Sequence, residues 1–331
     1  MSSEQTDLTV AVTGPTGTFG FGLIPLLEAD SRVSKVVGIA RRAFDPAELG
    51  WTKMEYRRGD VRDAKALREA FTGADVVVHL AFLIVGGSAE TTRSINVEGT
   101  LNAFRAAAAA GARRFVYASS VAAYGFHRDN PYGMTEEWPV RPADRLFYSQ
   151  EKAELEQLLA IEADEHPEIA LYLLRPSIVL GPHALGGKQL PGLLAPVARL
   201  LGGRLRRSPI PIPALVPDLP VQFVHEDDVG SALVQCVVAA GPPGAYNIAG
   251  DEVLSLLDVA RAFGIVPIRL PARPAQRAAR LLSGIPHLPA ATAWTEALSH
   301  PAVMDTGKAK EALGWDPQFT GLEALQDTLR H

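Results

Sequence analysis

The sequence predicts an α/β fold with a doubly wound parallel sheet and a smaller, loop-rich C-terminal lobe. Three observations lead to this prediction. Short apolar runs, typical of buried parallel strands, alternate with helical patterns from residue 8 to about residue 180. A glycine-rich turn directly follows the first run. Beyond Gly181 the chain becomes rich in turn residues, with eight prolines in residues 182–220.

The elements follow one another in a regular order. The predicted strands lie near residues 8–13, 35–40, 54–58, 75–80, 114–119 and 170–175, with helices between them, one of them alanine-rich near residues 106–110. Helical crossovers between such strands make the sheet parallel. Residues 221–224 predict a further strand, and the acidic run from Glu226 to Asp228 then favours the start of a helix.

The turn after the first predicted strand suits a dinucleotide. It runs from Thr13 to Gly20 with the spacing G-x-x-G-x-x-G. Its glycines allow a tight turn, a close approach of backbone N–H groups to a pyrophosphate, and close packing of the helix on the strand. The helix N-terminus adds a partial positive charge, although an ordinary strand-to-helix turn is the alternative. The cofactor contacts expected here are Gly14, Thr16, Gly17, Thr18, Phe19 and Gly20.

The position of this turn indicates which part of the chain binds the dinucleotide and which part binds the substrate. We expect residues 1–180 and 221–250 to form a Rossmann-type dinucleotide-binding domain. Residues 181–220 and 251–331 are expected to form the substrate-binding lobe.

The end of the second predicted strand indicates which dinucleotide binds. An acidic residue there would bind the ribose 2′-hydroxyl of NAD. The chain instead has Ala40, followed by Arg41 and Arg42. A guanidinium matches a 2′-phosphate in charge and in bidentate geometry, so we predict that NADP is preferred over NAD. The alternative is a solvated pair of arginines at a strand end.

A helix predicted near residues 144–163 carries a tyrosine and a lysine suited to proton transfer. Tyr148 and Lys152 are four residues apart and share one helix face. Reduction of a ketone needs a proton donor, and a lysine cation would lower the phenol's pKa from its usual value of about 10. Ser119 and Ser120 follow the fifth predicted strand, where a hydroxyl can hold the substrate oxygen. The alternatives are a surface helical pair and, for one serine, backbone capping.

Taken in order, these motifs resemble the extended short-chain dehydrogenases/reductases of the NAD-dependent epimerase/dehydratase type over nearly the whole chain. The resemblance implies a catalytic triad of Ser120, Tyr148 and Lys152, and a homodimer formed through the helices near residues 88–110 and 144–163. The segments Val224–Val229, Tyr246–Asn247 and Leu313–Trp315 are also similar to the family. Beyond the turn and the arginines, the implied cofactor contacts are Asp60, Val61, Leu80, Ala81, Asn96, Ser119, Tyr148, Lys152, Pro176 and Ile178.

Two departures from the family pattern argue against activities on nucleotide sugars. Val121, Ala122 and Ala123 stand where nucleotide-sugar dehydratases resemble one another in a Thr-Asp-Glu element. Val221 stands where many nucleotide-sugar epimerases carry an arginine. Without these groups, dehydration lacks its acid and base, and a diphosphate lacks a cationic partner. The cations that could replace the arginine are Lys188, Arg204, Arg206 and Arg207, for which a solvated loop is the alternative.

Composition excludes several other classes of protein. The 331 residues carry a formal net charge of −5, which gives no electrostatic case for nucleic acid or an anionic membrane. A single cysteine, Cys236, permits no internal disulfide and fits a reducing cytoplasm. The polar N-terminus does not look like a signal peptide, and the apolar runs are too short to span a bilayer. The eight histidines show no spacing typical of metal ligands.

The leading hypothesis is an NAD(P)-dependent oxidoreductase with NADP as cofactor, acting on a secondary alcohol or ketone with Tyr148 as acid and base. A nucleotide-sugar epimerase with tightly bound NAD is the alternative, with the same first step and a hydride returned to the opposite face. A cofactor-sensing protein without turnover is a third, less favoured because both Tyr148 and Lys152 are present.

Overall fold

The structure is a computed structural model that describes residues 7–84, 88–184, 212–271 and 300–330. Lys188, Arg204, Arg206 and Arg207, named above as replacement cations, lie outside the described residues. Of the helices that are described, none is long and apolar enough to cross a membrane.

A seven-stranded sheet lies at the centre of the described chain. Its order is β10-β6-β5-β4-β1-β2-β3, and every neighbouring pair is parallel. The strands are, in chain order, β1 (Leu8–Thr13), β2 (Val33–Ala40), β3 (Met54–Arg58), β4 (Val76–His79), β5 (Arg114–Ala118), β6 (Ala170–Pro176), β7 (Ile178–Leu180), β8 (Ile212–Pro217), β9 (Pro220–His225), β10 (Gly244–Ile248), β11 (Val253–Ser255) and β12 (Ile265–Leu270). The predicted doubly wound parallel sheet is confirmed, with six of its strands within about two residues of their expected bounds.

Helices cover both faces of this sheet. They are α1 (Thr18–Ala29), α2 (Ala64–Phe71), α3 (Ala89–Arg93), α4 (Gly99–Ala110), α5 (Phe147–Glu165), α6 (Glu226–Val237), α7 (Leu256–Ala262), α8 (Gly307–Leu313) and α9 (Gly321–Arg330). In β1, Val10 and Val12 pack into the core with α1 and α6, whereas Ala11 packs into the core with α2, α4 and α5. Both faces of the strand are therefore buried, which explains its continuous apolar sequence.

Helices α1 and α6 cross at two glycines. A Cβ atom on Gly22 would lie 2.2 Å from the carbonyl oxygen of Glu226, and one on Gly230 would lie 2.2 Å from that of Gly22. No side chain fits at such distances, so the two helix backbones touch directly. The crossing fixes the helix that follows the glycine turn against the helix that returns from the second half of the chain.

Two smaller sheets lie outside the main one. Strands β7, β9 and β11 form a three-stranded sheet, and β8 pairs in parallel with β12. Strand β8 lies within the stretch expected to be loop-rich. Its partner is about fifty residues further along, so the local sequence does not reveal the pairing, and its prolines are tolerated in a strand with a single partner. The division into a dinucleotide-binding domain and a substrate-binding lobe stays a prediction.

Candidate active site

The strand order reverses between β1 and β4, and the candidate site lies at the carboxyl edge of the sheet there. His79 joins three elements at this point. Its Nδ1 lies 2.8 Å from the hydroxyl of Thr13 at the end of β1, and its Nε2 lies 3.0 Å from the hydroxyl of Thr100 on α4. Burial lowers the pKa of His79 to about 3, with a smaller effect from the Lys152 charge, so the imidazole is neutral and structural at ordinary pH.

The glycine turn is packed tightly against β4 and α1. Gly14 has a φ of +70°, and a Cβ atom there would lie 3.0 Å from the backbone nitrogen of Ala81. A Cβ atom on Gly20 would lie 2.1 Å from the carbonyl oxygen of Pro15. Gly17 precedes α1 as its cap residue and has no side chain to occupy the first N–H groups of the helix. The turn therefore has the backbone that a pyrophosphate site requires.

The ends of β2 and β3 carry exposed cations. Arg41 and Arg42 are exposed, and Arg58 on β3 donates from Nε to the carbonyl of Arg41 at 3.0 Å. Asp60 is paired with Arg62 at 2.7 Å, and this hydrogen bond lowers the pKa of the carboxyl. Thus the predicted arginine pair has a third guanidinium beside it, which the sequence analysis missed because it lies on a different strand.

Four other predicted cofactor contacts have local surroundings that the structure describes. The hydroxyl of Thr18 donates to the carbonyl of His183 at 2.9 Å. Val61 is buried against α4, where Gly99 leaves room for it. Pro176 ends β6, and Ile178 beyond it is 40% exposed.

Ser120, Tyr148 and Lys152 come together at the ends of β5 and α5. Tyr148 is hydrogen-bonded to Ser120. The ammonium of Lys152 donates to the carbonyl of Ala118 at 2.7 Å and to the hydroxyl of Tyr117 at 3.1 Å. Ser120 also accepts from the backbone N–H of Ala122 at 3.1 Å, which caps a 3-10 helix at Val121–Tyr124. The capping role and the candidate catalytic role therefore fall on the same serine.

Burial has the largest effect on the pKa values of Lys152 and Tyr148. It lowers the pKa of Lys152 to about 7, although Glu156 and Glu151 oppose the shift. It raises the pKa of Tyr148, with the Ser120 hydrogen bond opposing. The lysine cation was expected to lower the pKa of the phenol. In the structure its Nζ lies 5.9 Å from the centre of the Tyr148 ring and donates to β5 instead, so burial outweighs it.

Phe82 is a contact that the sequence analysis missed. Its ring centre lies 3.7 Å from Nζ of Lys152, and its ring meets that of Tyr148 edge-on at 5.6 Å. Its position directly after His79, Leu80 and Ala81 was the available signal. The aromatic face stabilises the lysine cation and adds an apolar wall beside the pair.

Asn96 holds the segment after β4. Its side chain accepts from Leu83 N–H at 2.7 Å, donates to the carbonyl of Leu83 at 2.9 Å, and donates to Glu151 at 2.7 Å. This predicted cofactor contact is therefore engaged with the chain itself.

Ser119, another predicted contact, also has a partner within the chain. Its hydroxyl donates to Glu156 at 2.5 Å, and Glu156 is paired with Arg175 at 2.6 Å. Both charged residues are buried. Their burial and their pairing were missed from the sequence, because charges on a helix and at a strand end suggest solvent.

The two departures from the family pattern lie in apolar surroundings. Val121, Ala122 and Ala123 form the buried 3-10 helix. Val221 packs on a cluster that includes Phe223 and Leu254. Within the described part of the chain, no group of three or more histidine, cysteine or acidic residues could hold a metal ion.

Comparison with known proteins bears on the fold and the family of the chain. The chain matches the family model of the NAD-dependent epimerase/dehydratase family over residues 10–249. An uncharacterised protein of Mycobacterium tuberculosis is 27% identical over 338 residues, a match covering 97% of this chain and 83% of that protein. Sterol demethylase protein B of Methylococcus capsulatus is 33% identical over 179 residues, covering 53% of this chain and 52% of that protein. The solved UDP-glucose 4-epimerase of Thermus thermophilus, in complex with NAD, is 25% identical with a TM-score of 0.70, covering 98% of each chain.

Proposed function

Since the chain belongs to the NAD-dependent epimerase/dehydratase family, we propose that it is an NADP-linked oxidoreductase that transfers a hydride at a secondary alcohol or ketone. The observation that carries the proposal is the group of buried Ser120, half-buried Tyr148 and buried Lys152 at the carboxyl end of β5. A carbonyl compound held there would meet a hydroxyl, a phenol and a cation together.

The described residues fit a dinucleotide. Because Gly14 and Gly20 have no Cβ atom, the turn can pack closely against the residues after β4 and against the start of α1. The first N–H groups of α1 can then receive a pyrophosphate. When bound, the nicotinamide supplies the hydride. Gly14, Thr16, Gly17 and Phe19 would hold the phosphates and ribose.

The hydrogen bond between Ser120 and Tyr148 supports the following catalytic roles. Ser120 would hold the substrate oxygen, and Tyr148 would give its phenolic proton to that oxygen as the carbonyl carbon gains the hydride. The resulting phenolate is stabilised by the nearby Lys152 cation and regains its proton from solvent. In the oxidation direction Tyr148 accepts the proton instead.

The cation cluster at the end of β2 supports NADP over NAD. Arg41, Arg42 and Arg58 offer guanidinium groups to a 2′-phosphate, with Arg58 fixed by its bond to the Arg41 carbonyl. The end of β2 carries Ala40, Arg41 and Arg42, not the acidic residue that would bind a ribose 2′-hydroxyl.

The lining next to the catalytic group supports a largely apolar substrate. Phe82 touches both Tyr148 and Lys152, and Val121 begins the adjacent 3-10 helix. The partial likeness to a protein named sterol demethylase protein B points in the same direction.

A nucleotide-sugar epimerase with tightly bound NAD is the second candidate, favoured by the likeness to a UDP-glucose 4-epimerase solved with NAD. Val221 opposes it, because a diphosphate would meet an apolar cluster there. Denaturing the purified protein and chromatographing what it releases separates the two. Stoichiometric NAD supports the epimerase and contradicts the role of Arg41, whereas an empty site or exchangeable NADP(H) supports the reductase. NADPH consumption with any ketone or aldehyde excludes a protein that only senses the cofactor.

We also propose a homodimer formed through α3, α4 and α5. Two ion pairs already join these helices within one chain, Arg93 with Glu154 and Arg105 with Glu162. Ile161 on α5 is 57% exposed and would be covered by a second copy.

A further inference from the structure

A buried ion pair lies directly behind the proposed catalytic group. Glu156 on α5 accepts from Nε of Arg175 at 3.0 Å and from its Nη2 at 2.6 Å, and it accepts from the hydroxyl of Ser119 at 2.5 Å. Glu156 and Arg175 are each 5% exposed. The carboxylate is therefore held from the ends of both β5 and β6, and water reaches little of it.

Lys152 lies one turn before Glu156 on the same face of α5. Their side chains reach consecutive residues at the end of β5, because Lys152 donates to the carbonyl of Ala118 while Glu156 accepts from Ser119. Lys152 is only 3% exposed. Two buried cations, Lys152 and Arg175, are thus close to one buried carboxylate.

We propose that Glu156 is the shared counter-ion of Arg175 and Lys152, and that it is a positioning residue that keeps the lysine charged beside Tyr148. A carboxylate in a poorly solvated region acts strongly on a cation one helical turn away. Without it, two buried cations would remain, and the lysine would lose its proton because arginine does not. The effect of Glu156 on Tyr148 chemistry rests on the proposed function, whereas its interaction with Lys152 and Arg175 does not.

The other groups around Lys152 differ in how they respond to pH. His79 has a pKa of about 3, burial raises the pKa of Tyr117 and of Tyr148, and Arg175 stays charged. Compared with these four groups, Lys152 is the one that changes charge between about pH 6 and about pH 9, and burial also raises the pKa of Glu151. The groups that face it are His79 on β4, Tyr117 on β5, and Tyr148, Glu151 and Glu156 on α5, while Arg175 on β6 is connected to it through Glu156.

A double-mutant cycle on the free energy of unfolding tests the proposal without any substrate. Glu156→Gln and Lys152→Met are made singly and together, and each protein is unfolded in urea at about pH 6 and about pH 9. We expect a coupling between the two substitutions at the lower pH, where the lysine is charged, and its loss at the higher pH. Glu151 is present in all four proteins, so its own titration cancels.

Two further cycles serve as controls. Glu156→Gln with Arg175→Met should be coupled at both pH values, because the guanidinium does not titrate. Glu154→Gln, on the same helix but paired with the exposed Arg93, should show no coupling to Lys152→Met at either pH.

Glu156→Gln leaves an unpaired buried guanidinium and can prevent folding. The same cycle is then run in the Arg175→Met background, where Glu156→Gln no longer leaves a buried guanidinium without its carboxylate. A coupling of equal size at the two pH values, or none at the lower one, overturns the proposal in either background. Failure of the proposed function would appear separately, as absence of NADPH consumption.

Discussion

Replacing Lys152 with methionine should remove a rise of protein stability with pH. Lys152 is buried, and burial lowers its pKa to about 7 from 10.5. Between these values the unfolded chain holds the proton and the folded chain does not, so the free energy of unfolding rises with pH. Methionine has no such proton and keeps most of the side-chain volume.

The size of the effect follows from the two pKa values. Each pH unit in which only the unfolded chain binds the proton contributes about 1.4 kcal/mol. From about pH 7 to about pH 9 the lysine should add roughly 2 kcal/mol to the free energy of unfolding, since the rise is incomplete near its folded-state pKa.

Urea unfolding of the wild-type protein and Lys152→Met at these pH values measures the difference. Other titrating groups cancel when the two proteins are compared. Lys65→Met is the matched control, because the Lys65 side chain is 80% exposed and should leave the pH dependence unchanged. Curves for wild type and Lys152→Met that run parallel across this range would show that Lys152 is not desolvated as described.

Four further perturbations test other parts of the structure. Arg41→Ala should lower the NADPH-to-NADH affinity ratio about tenfold or more by loss of a charged hydrogen bond; Arg68→Ala on α2 is the control, and an unchanged ratio contradicts the NADP proposal. Tyr148→Phe should reduce NADPH consumption with a ketone at least about 100-fold while cofactor binding persists, and retained turnover would remove the tyrosine from the mechanism. Burial lowers the pKa of His79 from 6.5 to about 3, so the free energy of unfolding should fall as the pH drops below about 6.5. A His79→Gln variant that stays folded should lose that dependence in acid unfolding. Ile161→Asp should yield monomers in sedimentation if α5 forms the dimer, and a wild-type protein that sediments as a monomer refutes the dimer itself.

The sequence predicted those parts of the fold that depend on neighbours along the chain. The β1 strand, the glycine turn and α1 form one continuous segment, so their apolar pattern and glycine spacing were enough. Tyr148 and Lys152 were found for the same reason, being one helical turn apart.

What was missed depends on contacts between distant residues. Glu156 and Arg175 are nineteen positions apart and meet only when α5 packs on β6. The buried face of α5 carries Glu151, Lys152 and Glu156, so charges lie where a helical pattern leads one to expect apolar side chains. Arg58 reaches Arg41 only because β2 and β3 pair in parallel.

The contact of α1 with α6 bears on how a saturation mutagenesis scan of this protein should be interpreted. Gly22 and Gly230 lie backbone to backbone, so every substitution at either position must push two helices apart. Such variants should score as badly as changes at Tyr148, although neither glycine has a side chain to offer a ligand. Intolerance in the scan would therefore mark two different kinds of position, and only a separate measure of protein abundance would distinguish lost chemistry from lost assembly of the chain.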